Sequence, residues 1–190
     1  RSVDEPRDGR LVMHLLSDPI QDGGQWHMFV NLIKKYGVVP KSEMPETYQS
    51  SASMRMNRMI TRKLRGFAID LRNASKDGET LDKLQSMKDE MMSVVYQMLT
   101  ISLGTPPETF DWQVRDKEKE FYRFENLTPK SFFKNHVGLN LDDYVCLIDC
   151  PMSDKEYNET YTVDYLGNVI EGEIIRYLNL PVQRLKDAAI

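Results

Sequence analysis

The apolar positions of the chain change their period at Phe110, and two kinds of element follow from that change. Ahead of it, apolar residues recur at spacings of three and four, the signature of amphipathic helices. Trp26, Phe29, Val30 and Ile33 form one stripe. It predicts a helix ending near Lys34-Lys35-Tyr36-Gly37, with cations in the last turn and glycine as the C-cap. Val38 to Tyr48 carries Pro40 and Pro45 and reads as an irregular connection. Met56, Ile60, Leu64, Phe67 and Leu71 predict a long helix closing before Asp77-Gly78. Thr80 is the N-cap of a second one bearing Leu81, Leu84, Met87, Met91, Val94, Met98 and Ile101, stopped by Gly104 and Pro106-Pro107. Two such helices joined by a short polar loop form an antiparallel hairpin.

Beyond Phe110 the alternation has period two. Phe110, Trp112 and Val114, then Phe121 to Phe124, predict a β-hairpin with the charged loop Asp116-Lys117-Glu118-Lys119. Thr128 as N-cap and Pro129 at the first helical position open a short helix carrying Phe132 and Phe133. Tyr144 to Ile148 and Tyr161 to Tyr165 read as strands, and Pro181 opens a further helix through Val182, Leu185 and Ala188. At the other end, the charged stretch Ser2 to Arg10 precedes the apolar run Leu11-Val12-Met13 and Leu15-Leu16. The class is α+β. A start at Arg1-Ser2 without Met, and a last helix without a stop signal, are what a piece of a longer protein presents.

Charge narrows the function. The net charge of -4 argues against a chain devoted to neutralising phosphates, although Arg55, Arg58, Arg62, Lys63, Arg65 and Arg72 follow one another along the first long helix. A solvated helix face is the plain reading of that cluster. No apolar run reaches the roughly 18 residues of a membrane span. Cys146 and Cys150 are the only cysteines, which makes a disulfide framework unlike this chain and a reducing, cytoplasmic setting the default. Their spacing suits strand packing on one face, as reduced thiols. With His14, His27 and His136 scattered, no zinc spacing exists, so neither a metal nor another cofactor is expected.

Gln21-Asp22-Gly23-Gly24-Gln25-Trp26 carries the candidate chemistry. Paired glycines let another chain approach the backbone closely, and exposed backbone can pair with an extended peptide as an added strand. The alternative is a turn and helix start, with Asp22 as N-cap. For Trp26, packing of the helix it begins competes with a place on a cleft wall.

Asp22-Gly23-Gly24 resembles the Asn-Gly-Gly segment that lines the cleft of papain-like peptidases, where the second glycine bonds the substrate backbone. Lys35-Tyr36-Gly37-Val38-Val39-Pro40-Lys41 and Pro45-Glu46 resemble the tract after that helix. Leu103-Gly104-Thr105-Pro106-Pro107, Tyr161-Thr162-Val163, Leu166-Gly167-Asn168-Val169 and Tyr177-Leu178-Asn179-Leu180-Pro181 are similar to the bacterial aminopeptidase C and bleomycin hydrolase branch, and the likeness covers nearly the whole chain. His27 stands where that branch usually carries Asp.

The resemblance implies a fragment of the papain-like cysteine peptidase fold with the family's helical insertion: part of the catalytic core over 1–48, a helical hairpin over 49–107, and a β/α portion returning to the core over 108–190. It implies peptide substrates met by Asp22, Gly23, Gly24, Gln25 and Trp26. It further implies that the catalytic Cys, His and Asn lie outside this chain, so that residues 1–190 alone are inactive. Family members form hexamers, and some eukaryotic ones bind nucleic acid through basic surfaces. Both readings attach to the helical segment, with a non-catalytic assembly module as the alternative function.

Overall fold

The computed structural model describes residues 3–20, 23–163 and 165–188. They fall into two compact units that interleave along the chain. One joins the described residues before Gln21 to Met44–Pro107, and the other joins Gly23–Glu43 to the described residues from Glu108 onward.

The first unit is helical. The apolar run near the start forms α1 (Arg10–Ser17), a short turn α3 (Tyr48–Ser51) precedes α4 (Met54–Lys76), and α5 (Leu81–Leu103) returns beside α4. The N-cap prediction for α5 holds: the Thr80 hydroxyl accepts from the Lys83 N–H at 3.2 Å. Gly104 caps the far end with φ +84, where its N–H meets the Thr100 carbonyl. Arg65 reaches from α4 to the end of α1 and donates to the carbonyls of Leu16 and Ser17, two acceptors that the helix itself leaves orphaned. The predicted stripe of α5 needs correction at its edges. Val95 is its buried residue, whereas Leu81 and Ile101 are 82% and 87% exposed. At 3.6 residues per turn a long stripe drifts round the helix, so its ends leave the line of contact.

The second unit mixes helix and strand. α2 (Trp26–Tyr36) ends at Gly37, as the cations and glycine predicted. The N-cap is Gln25, in extended conformation, rather than Asp22, which lies outside the described residues. Strands β1 (Phe110–Arg115) and β2 (Phe121–Leu127) pair antiparallel with a register shift between Phe110 and Trp112. Asp111 sits at that bulge. It accepts from the Asn126 N–H at 3.0 Å and from Arg123 at 2.9 Å, and those two donors hold its carboxyl below the usual carboxylate range. Thr128 and Ser131 form a reciprocal capping box on α6 (Pro129–Phe132), which continues as a π-turn, Phe133–Val137.

The remaining strands are shorter than predicted. β3 (Cys146–Ile148) starts two residues late: Tyr144 directly follows the short 3₁₀ turn Leu141–Asp143 and packs its ring, tilted, against Trp26. β4 covers only Thr160–Tyr161; Thr162 then bonds the Ile175 carbonyl and Tyr165 takes φ +61, which ends the extended run. Asp164 lies outside the described residues. β5 (Tyr177–Asn179) is central, parallel to β3 and antiparallel to β4. After it, α7 (Val182–Ala188) follows Pro181 as predicted, and Asp149 accepts from the Val182 N–H at 3.0 Å. Cys150 lies past the end of β3, so the two cysteines do not share a strand face. Both are free thiols.

A buried amide and a small apolar core fix this unit. Asn179 is fully buried, with Oδ1 accepting from Cys150 N–H at 2.8 Å and Nδ2 donating to the carbonyls of Cys150, Lys155 and Glu156. One amide thereby satisfies four backbone groups of the 150–156 loop. The core of Val30, Ile33 and Leu141 is flanked by Trp26, Val38 and Phe133. At its end Gly37 holds φ +78 against α6, where the Val38 N–H bonds the Pro129 carbonyl at 3.2 Å. A Cβ on Gly37 would overlap the Pro129–Lys130 peptide. Gly37→Ala therefore adds a left-handed strain and a backbone clash, and costs about 2–4 kcal/mol. Urea unfolding monitored by far-UV circular dichroism should show a lower midpoint, and an unchanged midpoint would contradict this account.

Candidate functional site

The segment that begins α2 is open backbone. Gly23 and Gly24 are exposed, and neither makes a backbone hydrogen bond among the described residues. Neither takes a positive φ, and an added Cβ on either would meet no atom within 4 Å. Gln25 follows in extended conformation, its carbonyl accepting from the N–H groups of Met28 at 3.0 Å and Phe29 at 3.3 Å. Its side chain caps nothing. The result is an exposed stretch without backbone partners among the described residues, leading into the positive end of an eleven-residue helix.

Trp26 is half-buried and packs against the core. Its indole lies 5.7 Å from the Phe29 ring and 5.3 Å from the Tyr144 ring, tilted against both. The Trp26 Nε1 and the His27 Nδ1 are buried without a partner among the described residues. Two orphaned polar atoms on consecutive residues are unusual where buried groups are otherwise paired.

Behind this edge, α2 is tied to the segment 163–176. Asn31, 3% exposed, pairs with Glu173 as a strand neighbour would: its Nδ2 donates to the carbonyl at 2.9 Å and its Oδ1 accepts from the N–H at 3.0 Å. Gly172 lies against that amide, where a Cβ would stand 3.1 Å from the Asn31 side chain. Asn168 donates to the Met28 carbonyl, and Lys35 to that of Ile170. Lys34 bridges Asp142 at 2.5 Å and Glu173 at 2.7 Å. Those hydrogen bonds raise the Lys34 pKa above its usual 10.5. A raised lysine stabilises the fold fully below its unfolded value and loses that contribution only as pH climbs through the higher folded one, so the bridge is intact across the neutral range.

The sequence-predicted residues are thus brought together from Gly23 to Trp26, with Asp22 outside the described residues. Asn31, Lys34, Tyr144 and Glu173 were missed. Asn31 carried a signal, as a polar residue set between Val30 and Ile33 on an apolar stripe. The other candidates sit apart. No hydrogen bond joins either cysteine to His14, His27 or His136 among the described residues. Burial and the neighbouring Cys146 sulfur push the Tyr177 phenol up. His136 rests on the π-turn among Trp112, Phe124 and Phe132, with ring centroids 4.4–5.6 Å away, which is a packing role. Among the described residues no three His, Cys, Asp or Glu side chains are grouped to hold a metal ion. None of their helices is long and apolar enough to cross a membrane.

Asn31→Ala removes both amide bonds and leaves the Glu173 peptide groups unpaired, an expected loss of about 2–3 kcal/mol. Amide hydrogen exchange at Glu173 and its neighbours should accelerate before that of β1 and β2. Equal acceleration everywhere would mean that Asn31 does not act on the 163–176 segment.

Comparison with known proteins gives the family. The Peptidase C1-like family matches residues 1–190. An aminopeptidase C of Listeria innocua serovar 6a is 46% identical over 187 residues, which is 98% of this chain and 42% of that protein. A bleomycin hydrolase of Mus musculus is 45% identical over 184 residues, 96% of this chain and 40% of that protein. The crystal structure of PepW from Lactobacillus rhamnosis HN001 superposes with a TM-score of 0.96 at 46% identity, covering 99% of this chain and 42% of that one. The chain spans about two fifths of the length of these relatives. With a family match along its whole length and a near-superposable structure, the chain belongs to the Peptidase C1-like family.

Proposed function

We propose that this chain is the central portion of a cysteine-type aminopeptidase that releases N-terminal residues from peptides through a thiolate and an acyl-enzyme. The observation that carries the reading is the edge at Gly23 and Gly24, whose backbone groups are exposed and have no partner among the described residues. An extended peptide pairs with such an edge through main-chain hydrogen bonds, and the missing side chains let it come close. Gln25 and Trp26 extend the contact, and Asp22 precedes it. The nucleophile, the base and the asparagine that orients it come from parts of the protein outside these residues. Cys146 and Cys150 serve no such role, being without a histidine partner among the described residues.

On this reading residues 1–48 contribute to the catalytic core, 49–107 form an insertion, and 108–190 return to the core. The insertion supports a hexameric assembly, favoured by the exposed apolar side chains Tyr96 and Ile101 on α5. A non-catalytic assembly module is the competing reading. Two free thiols suit a reducing cytoplasm.

The full-length protein should hydrolyse aminoacyl-naphthylamides, with turnover abolished by thiol-alkylating reagents, whereas residues 1–190 alone should show none. Gly24→Val in the full-length protein should lower kcat/KM by about tenfold or more, since a branched Cβ stands where the peptide backbone approaches. Turnover by residues 1–190 alone, or full activity in Gly24→Val, would overturn the assignment.

A further inference from the structure

Asn168 reaches α2 at its first turn. The Asn168 Nδ2 donates to the Met28 carbonyl at 3.2 Å, and the N–H of the same Met28 donates to the Gln25 carbonyl at 3.0 Å. Two hydrogen bonds therefore lead from the 163–176 segment to the residue that follows Gly24. We infer that Asn168 is a positioning residue: mounted on a segment that Asn31 locks, it holds the first turn of α2, and with it the Gly23–Gly24 backbone, where the peptide pairs. This inference rests on the peptidase reading above and adds to it the group that keeps the peptide-binding backbone in place.

The mounting is firm on both sides of Asn168. The Thr162 hydroxyl donates to the Ile175 carbonyl and closes the base of the loop. Beyond Asn168, the Gly172 N–H turns back onto the Val169 carbonyl at 3.1 Å, and the next residue, Glu173, is held by both amide bonds of the buried Asn31. Lys35 holds the Ile170 carbonyl at 3.1 Å. Tyr165 and Glu171 take φ +61 and +65, a conformation that residues bearing a Cβ seldom adopt and that persists only where the surroundings impose it. Asn168 lies midway between those two in sequence, so its amide is presented to α2 by backbone with little freedom left. The start of α2 needs such a grip. The Gln25 side chain caps nothing, and Gly23 and Gly24 make no backbone hydrogen bond among the described residues. Glycine has the widest choice of backbone conformation, so the turn that these two enter sets their direction. A misplacement of about 1 Å in a group that positions substrate can cost roughly a hundredfold in rate.

The test uses the full-length protein and an aminoacyl-naphthylamide, with KM and kcat measured separately. Asn168→Asp keeps the shape of the side chain and removes the donor. It should raise KM by about three- to tenfold and leave kcat within about twofold, because backbone pairing holds the peptide equally in the ground and transition states. Asn168→Gln keeps the donor and should bring KM back to within about twofold of the wild type. Tyr157→Phe removes another exposed hydrogen bond, to Asp149 at 2.8 Å, from a loop that makes no hydrogen bond to α2 among the described residues, and should leave KM unchanged. Thermal melts accompany each variant. One that only loses stability lowers its melting temperature and the amount of active enzyme, read in kcat, and keeps its KM. An unchanged KM in Asn168→Asp, a rise that Asn168→Gln shares in full, or an equal rise in Tyr157→Phe overturns the positioning role and leaves the peptidase assignment standing. Absence of thiol-sensitive turnover in the wild type overturns both.

Discussion

The second unit depends on buried amides that take the place of strand neighbours. Asn31 on α2 pairs both peptide groups of Glu173. A buried peptide left unpaired costs on the order of 1–3 kcal/mol, so without this amide the 163–176 segment has no low-energy way to lie against an apolar helix. Lys34, through its ion pair with Glu173, and Lys35, through a hydrogen bond to the Ile170 carbonyl, reinforce the attachment from the next turn, but the ion pair lies near solvent, where such pairs contribute little. Asn179 repeats the device at the 150–156 loop, with four bonds from one side chain. In each case an irregular segment, which cannot satisfy its own backbone, is held by a single polar residue inside an apolar element.

That device explains what was legible in the sequence. Elements whose partners are near in the chain were readable: the α4–α5 hairpin from its spacing and caps, β1 and β2 from alternation and a charged turn, α6 from Thr128 and Pro129. Each needs only its own residues to declare itself. β5 was not readable as a strand because it is three residues long and its partners lie upstream across irregular chain, β3 by 31 positions (Cys146 to Tyr177) and β4 by 16 (Tyr161 to Tyr177). Tyr144 looked like strand because its composition is that of strand, yet a ring contact with Trp26 was worth more than one further ladder position. On α5 Val95 is buried where Val94 was expected, and Ile101 is exposed, since periodicity gives a face but not the width of the contact that covers it.

The site divides along the same line. Gly23 to Trp26 stood out in sequence because paired glycines before an apolar stripe are rare enough to notice. Tyr144 did not, since an aromatic residue opening a run of strand composition reads as strand until its ring contact with Trp26 is known. The family match then constrains the interpretation without supplying the partners, for the chain spans about two fifths of its relatives.

Glycine identity gives the last step. At Gly37 a positive φ and the Pro129 backbone each forbid a side chain, and at Gly172 the Asn31 amide crowds the Cβ position. Folding alone accounts for both. At Gly23 and Gly24 neither condition holds, since φ is ordinary and the space around each Cβ is open. A glycine where alanine would fit as well costs folding about 0.4–1 kcal/mol through the wider freedom of the unfolded chain, and here two in succession make no close contact that offsets it. A residue that the fold does not require is best explained by something that must approach it. The peptide proposal above supplies such a partner, since another backbone is what bare glycine lets come close.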